Sequence, residues 1–207
     1  MVLGENRRKN MERCTVGSNQ INELERLEQS ELQNSNDWME YWFKYSSFDH
    51  WQFWVNLLML VIPLVLLFIF IKREKALLIG FFGYNVHIIF TYIDLYGTKR
   101  ALWGYPFKVQ PFIPSGVALD ISLVPVSFML LYQWVMEKKR NYYVYMIILS
   151  GLFAFIIKPL LTILELFQLD RGTNYFHLFL LYILIGVLSK WITNLFILAE
   201  KVSKKQK

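Results

Sequence analysis

The chain has little of what disulfide bonding and catalysis require. Its 207 residues include a single cysteine, Cys14, so no internal disulfide is expected and we interpret this residue as a free thiol. No nucleophile with a neighbouring base, no metal-ligand spacing and no nucleotide-binding loop stands out. The sequence therefore predicts no catalytic residue, no cofactor and no metal, and we expect the protein to be non-enzymatic.

Charge is also scarce, and a signal peptide is missing. Charged residues make up 18% of the chain, below the roughly 25% of an ordinary globular domain. The polar segment before the first apolar run lacks the hydrophobic core of a cleavable signal. We therefore expect the first apolar run to act as its own uncleaved signal.

Long apolar runs are what the chain has in abundance, since hydrophobic residues make up 55% of it. Between Phe53 and Ile71 only Asn56 and Pro63 interrupt such a run. A helix needs about 20 apolar residues to cross a bilayer, and this run is of that kind. Together with four further runs, it predicts an all-α integral membrane helical bundle with about five transmembrane helices and an amphipathic N-terminal segment.

The runs divide the chain into three parts. Residues 1–50 are a polar, amphipathic segment that we expect to be disordered before about Asn19, and the start of the protein at Met1 or at Met11 is left open. The five transmembrane helices are predicted at about residues 51–71, 76–96, 117–136, 142–167 and 175–199. Residues 200–207 form a basic tail.

Basic residues set the predicted orientation. The net charge is +6, and most of the lysines and arginines lie at the ends of apolar runs, which favours contact with lipid headgroups over nucleic acid. They concentrate after the first and third crossings and at the C-terminus, for example at Lys72, Lys138 and Lys204. By the positive-inside rule we expect a multi-pass protein of the cell membrane, with the N-terminus outside and the C-terminus in the cytoplasm.

An aromatic stripe precedes the first crossing. Its members recur at near-helical spacing and are Trp38, Tyr41, Trp42, Tyr45 and Phe48. Such a stripe is typical of an amphipathic helix at a membrane surface. A helix that binds a partner protein is the alternative, and the sequence leaves both open.

Ionisable residues inside the apolar runs are the candidate polar site. Asp94, Asp120 and Glu165 are predicted at similar depth on three helices. Lys158 precedes Glu165 by seven residues, and His87 precedes Asp94 by the same spacing, which places each pair on one helix face. Such groups are costly in a bilayer. Either Lys158 pairs with a carboxylate to hold the helices together, or the five residues line an outward-facing vestibule for a cation, a small polar solute or a proton path.

The longest connection, from Gly97 to Gly116, is rich in rings and prolines. They are Trp103, Tyr105, Pro106, Phe107, Pro111, Phe112 and Pro114. This composition argues against a flexible linker. The segment either lies flat at the membrane interface, with its rings at headgroup level, or caps the helices above the carboxylates.

Several short features resemble a known family. They are Tyr105-Pro106, Pro111, the stretch from Asp120 to Gln133 with Leu123-Val124-Pro125 inside it, and Lys190-Trp191-Ile192-Thr193. Over about Ala76 to Phe196 the chain resembles small, uncharacterised multi-pass membrane proteins of endospore-forming bacteria. The resemblance implies a five-helix or similar bundle in a bacterial plasma membrane and implies no activity or catalytic residue.

Two functions follow from these patterns. The first is a non-enzymatic membrane component that acts through partners, either another membrane protein or further copies of itself, within the lipid bilayer. The alternative is a small transporter or channel-like protein that uses the intramembrane Asp, Glu and Lys residues. The sequence does not specify a solute, a partner, an oligomeric state or the order of the helices.

Overall fold

A computed structural model describes residues 17–113 and 115–205. Three predictions concern residues outside this range: the free thiol at Cys14, the start at Met1 or Met11, and disorder in residues 1–16 of the segment before about Asn19. Pro114 and the last two residues of the basic tail also lie outside it. The chain divides between Tyr41 and Trp42 into two units, which are described separately.

The N-terminal helix α1 runs from Ser18 to Tyr45. In the part before Trp42, polar contacts follow the helix surface: Arg26 pairs with Glu23 at 2.9 Å, and the Gln33 amide donates to Asp37 at 2.8 Å. Several leucines of the same segment are exposed, which are Leu24, Leu27 and Leu32.

The second unit is a bundle of helices. In the described part of the chain five helical segments are long and apolar enough to cross a membrane, which confirms the predicted all-α fold with about five transmembrane helices. These five segments contain six α-helices, because α5 and α6 belong to one segment. The helices are α2 (Trp51–Phe70), α3 (Ala76–Lys99), α4 (Val124–Lys138), α5 (Tyr142–Leu152), α6 (Lys158–Ile163) and α7 (Tyr175–Lys205). A 3₁₀ turn, Arg73–Lys75, leads into α3.

Two of the crossings contain a π-helical segment, whose turns are wider than those of an α-helix, close to a proline. Leu119–Leu123 leads into α4, and Phe153–Ile157 joins α5 to α6 within one crossing. Each segment lies just before a proline, Pro125 or Pro159. A proline has no N–H to donate and its ring clashes with the carbonyl four residues earlier, so a wider turn relieves that clash.

Helix ends differ from the predicted bounds where the backbone changes direction. The fourth crossing ends at Ile163 rather than near Phe167, because Glu165 adopts a left-handed conformation with φ of 61°. The Leu166 N–H then donates to the Leu161 carbonyl at 2.8 Å, and the Glu165 N–H donates to Thr162 at 3.1 Å. These two bonds form the Schellman arrangement that closes a helix C-terminus.

Aromatic packing and side-chain caps fasten the helices. α3 packs against α4 and α7, and Phe82 of α3 stacks on Tyr132 of α4 with ring centroids 4.3 Å apart. At the end of α2, the Gln133 side chain accepts from the Lys72 N–H at 2.8 Å and donates to the Phe70 carbonyl at 3.0 Å. One buried amide thus satisfies two backbone groups that the end of α2 leaves unpaired.

Candidate functional site

The connection between α3 and α4, which we name the aromatic loop (residues 100–116), folds over one end of the bundle. Its strand β1 (Trp103–Gly104) pairs antiparallel with β2 (Gln168–Leu169), which follows α6. Trp103 and Tyr105 are 6% and 5% exposed. Because these rings are buried, the loop caps the helices, the second of the two arrangements that its composition allowed.

Hydrogen bonds from the first crossing and the residues before it hold the loop in place. The Trp42 Nε1–H donates to the Lys108 carbonyl at 2.8 Å, and the Lys108 N–H donates to the Ser46 hydroxyl at 2.7 Å. The Asn56 amide of α2 donates to the Phe107 carbonyl at 3.0 Å. Asn56, an interruption in the first apolar run, is thus an anchor for the cap.

Asp94 lies at the centre of the site, directly beneath the cap. Its Oδ1 accepts the Trp103 Nε1–H at 2.8 Å and the Tyr105 hydroxyl at 2.7 Å. Its Oδ2 accepts the Gly116 N–H at 3.1 Å. The carboxylate is 2% exposed, so three donors from the loop replace the water that burial removes.

Lys158 approaches the same place from α6. Its Nζ donates to the Tyr105 hydroxyl oxygen at 3.2 Å and lies 3.6 Å from the centroid of the Phe167 ring. An aromatic face attracts a cation through its quadrupole. Lys158 is 2% exposed, and Tyr105 stands between it and Asp94 as a hydrogen-bonded bridge.

The Tyr105 hydroxyl must stay protonated to serve as that bridge. Burial, and then the charge of Asp94, raise the pKa of Tyr105 well above its usual value. A protonated phenol donates to Asp94 while its oxygen accepts from Lys158. The three groups therefore form a directed chain from ammonium through phenol to carboxylate.

Asp120 differs from Asp94 in the hydrogen bonding of its carboxylate. It lies in the π-helical segment before α4, is 2% exposed, and is close enough to Asp94 and Lys158 to interact with both electrostatically. Within the described residues neither of its carboxylate oxygens has a partner that meets hydrogen-bond geometry, and the Ser115 side chain is a polar neighbour that interacts with it. A buried carboxylate without a donor is costly.

His87 reaches Asp120 through the backbone. Its Nδ1 lies 2.7 Å from the Asp120 carbonyl oxygen, so Nδ1 carries the hydrogen and donates it. The Thr91 hydroxyl lies 3.4 Å from the same nitrogen. His87 therefore holds the π-helical segment against α3 and does not touch the Asp120 carboxylate through Nδ1.

The structure brings four of the five candidate residues together and leaves one outside. Asp94, Asp120 and Lys158 share the buried cluster, and His87 borders it. Glu165 is exposed on the turn after α6, because the helix ends before it and the seven-residue spacing from Lys158 no longer places the two on one face. Their role as a functional site stays a prediction.

Sequence reasoning did not assign the partners of Asp94. Trp103, Tyr105 and the Gly116 N–H belong to the aromatic loop, whose composition alone assigns no role to any one ring. The spaces beside the cluster are small. One of about 20 Å³ is lined in part by Asp94, Trp103 and Lys158, and one of about 10 Å³ lies under the loop by Tyr105 and Lys108.

In residues 17–113 and 115–205 no three His, Cys, Asp or Glu side chains are arranged to hold a metal ion. Comparison with family models, with curated proteins and with solved structures found no match.

The buried Lys108 of the loop makes stability depend on pH. Burial lowers the pKa of Lys108 from 10.5 to about 8, and Asp94 opposes that shift. Between these two pH values the unfolded chain binds more protons than the folded one, so the free energy of unfolding rises with pH in that window. We expect Lys108→Met to reduce this rise, because the contribution of one buried lysine is lost.

Thermal unfolding of the detergent-solubilised protein between about pH 7 and pH 10 measures the effect. Lys99→Met, which removes an exposed lysine next to the same loop, is the control and should keep the wild-type slope. Parallel pH profiles for wild type and Lys108→Met would contradict the assignment.

Proposed function

We propose that this multi-pass membrane protein is a small transporter or channel-like protein that binds and releases a proton or a small monovalent cation at Asp120. The observation that carries the proposal is the buried Asp120 carboxylate with no hydrogen-bond partner among the described residues. An ionisable residue inside membrane helices marks an ion or proton pathway by default. Asp94 has a structural role instead, because both of its carboxylate oxygens accept hydrogen bonds from the aromatic loop.

The charges around Asp120 support the same assignment. Lys158 interacts electrostatically with both carboxylates, whereas Lys108 of the aromatic loop interacts with Asp94. Among the described residues Asp94 therefore has two cations and three hydrogen-bond donors, and Asp120 has Lys158. A poorly compensated charge is unfavourable in a low-dielectric interior, and one proton or one monovalent cation at Asp120 offsets it.

The backbone around Asp120 also supports the assignment. Asp120 lies inside the π-helical segment that precedes Pro125, and Lys158 directly follows the second such segment. π-helical turns are rare and occur frequently at functional sites. The two charges of opposite sign thus lie next to the two irregular turns of the bundle.

Substitution of Asp120 by Asn is expected to separate function from stability. Flux of protons, Na⁺ or K⁺ through proteoliposomes should fall below about one tenth of the wild-type rate, because the ionisable group is lost. The unfolding midpoint should stay equal or rise, because an unpaired buried charge disappears. A pH-sensitive dye inside the liposomes reports proton flux, and ion-selective dyes report the cations.

Glu165→Gln is the matched control, since it makes a similar change at an exposed carboxylate outside the cluster. It should leave flux and unfolding unchanged. Two results would refute the proposal: wild-type liposomes no more permeable than empty ones to any of the three ions, or equal flux through wild type and Asp120→Asn.

A second function, a membrane component that acts through partners, is favoured by α1. Leu24, Leu27 and Leu32 are 48%, 53% and 64% exposed on this helix. Exposed apolar groups at helical spacing suit a partner helix or another copy of the chain. This function is supported if the wild type retains a stoichiometric subunit during mild purification and the Leu24→Ser/Leu27→Ser variant loses it. Equal recovery of the subunit with the wild type and with the variant argues against it.

A further inference from the structure

An open groove of about 740 Å³ runs between α3 and α7 on the outside of the bundle. Its walls are mostly apolar and include Tyr92, Ile93, Leu102, Leu180, Leu181 and Leu184. Tyr92, Leu180 and Leu184 are 70%, 47% and 45% exposed. Since both helices are membrane-spanning segments, these exposed side chains face the hydrocarbon of the bilayer.

The groove is polar at one end only. Arg171, Thr173 and His177 line its mouth, at the turn from β2 into α7. The wall then descends α7 to Leu184, nine residues beyond Tyr175 and so roughly 14 Å below the helix start. A charged mouth at one end of an apolar groove of this depth matches the shape and polarity of a phospholipid, whose charged headgroup lies above its acyl chains.

Positive charge dominates the mouth. Arg171 lines it, and the Arg100 guanidinium lies 5.9 Å from the ring centroid of Tyr96, another lining residue. The groove has no carboxylate among its lining residues. Asp170, the nearest acidic neighbour in sequence, uses its Oδ1 to accept the Arg171 N–H at 2.7 Å. Within the described residues Arg171 forms no salt bridge.

The turn itself presents Arg171 outward. Arg171 and Gly172 have φ values of 47° and 75°, and Asn174 caps the start of α7 by accepting the His177 N–H at 3.1 Å. The amino end of a helix carries partial positive charge, which adds to that of the arginine. An anionic headgroup therefore meets two favourable fields at the mouth.

We propose that this groove binds an anionic phospholipid, with an acyl chain between α3 and α7 and the phosphate at Arg171. The volume lies within the range of about 300–1,000 Å³ that small-molecule sites occupy. The site is independent of the ion site at Asp120 and needs no movement of the aromatic loop, since Trp103 separates the groove from Asp94.

Native mass spectrometry of the full chain tests this, with phosphatidylglycerol and phosphatidylcholine of identical acyl chains as probes. We expect phosphatidylglycerol to be retained about fivefold more, the ratio that one basic side chain near a headgroup gives. Arg171→Gln should remove most of this preference, and the remainder comes from Arg100 and the amino end of α7. Leu184→Trp, which fills the groove from an exposed position, should lower the retention of both.

Arg140→Gln is the matched control, because it removes an exposed arginine from the connection between α4 and α5, and it should keep the preference. Unfolding midpoints confirm that each variant is folded. The proposal fails if Arg171→Gln keeps the wild-type preference or if Leu184→Trp retains both lipids as before. It also fails if the wild type is a dimer that Leu184→Trp converts to a monomer, because a second copy then fills the groove.

Discussion

Replacing Asp94 by Ala is expected to cost about 3–5 kcal/mol in the free energy of unfolding, the range for breaking a buried ionic network by removing one partner. The substitution removes the acceptor of the Trp103 Nε1–H, the Tyr105 hydroxyl and the Gly116 N–H at once. Each donor is then left without its partner, and the phenol no longer links Lys158 to a carboxylate. The aromatic loop loses the centre that it folds around.

Thermal unfolding in detergent, together with limited proteolysis between Arg100 and Gly116, measures this loss. Asp94→Asn keeps one acceptor oxygen and should cost less than Asp94→Ala. Glu165→Gln, at an exposed carboxylate, should change neither readout. If Asp94→Ala unfolds at the wild-type temperature, the carboxylate does not hold the loop.

Gly97→Ala is expected to cost about 1–3 kcal/mol, the usual penalty for overpacking a close contact. A Cβ at this position collides with three ring carbons of Trp103. The indole is buried and held by its bond to Asp94, so moving it disturbs that bond. Accommodating the methyl group therefore breaks the hydrogen bond or displaces β1.

Gly80→Ala gives a control on the same helix. A Cβ at Gly80 meets nothing within 4 Å, and alanine is favoured over glycine in a helix interior by roughly 0.5–1 kcal/mol. Gly80→Ala should therefore unfold at the wild-type temperature or above it, while Gly97→Ala unfolds below it. Equal midpoints for the two variants would show that Trp103 tolerates displacement.

The membrane-spanning segments were accessible to sequence reasoning because bilayer thickness sets their length. The run from Phe53 to Ile71 has few polar residues, and the structure has α2 at Trp51–Phe70. Helix ends were harder to place. The fourth crossing ends at Ile163 through a Schellman arrangement with Glu165 in a left-handed conformation, and a glutamate at that position carries none of the usual signal of glycine.

Three buried charges of the candidate site were predictable from the sequence, and their hydrogen-bond partners were not. Asp94, Asp120 and Lys158 were selected because charge inside an apolar run is costly, and all three are buried. Sequence spacing places Glu165 on the same helix face as Lys158 and leaves the partner of Lys158 open among Glu165, Asp94 and Asp120. The observed partner is Tyr105, which is 53 residues away along the chain.

The sequence alone determined the all-α class of this protein, the number of helices long and apolar enough to cross a membrane, and three of the charged residues that are buried. These follow from local quantities: a run of apolar residues, the rise per residue of a helix and the cost of charge in hydrocarbon. The tertiary structure alone decided which buried carboxylate receives hydrogen-bond donors and which does not. That depends on the rotation of each helix and on how the aromatic loop folds back over Asp94, so that Asp94 receives three donors and Asp120 receives none among the described residues.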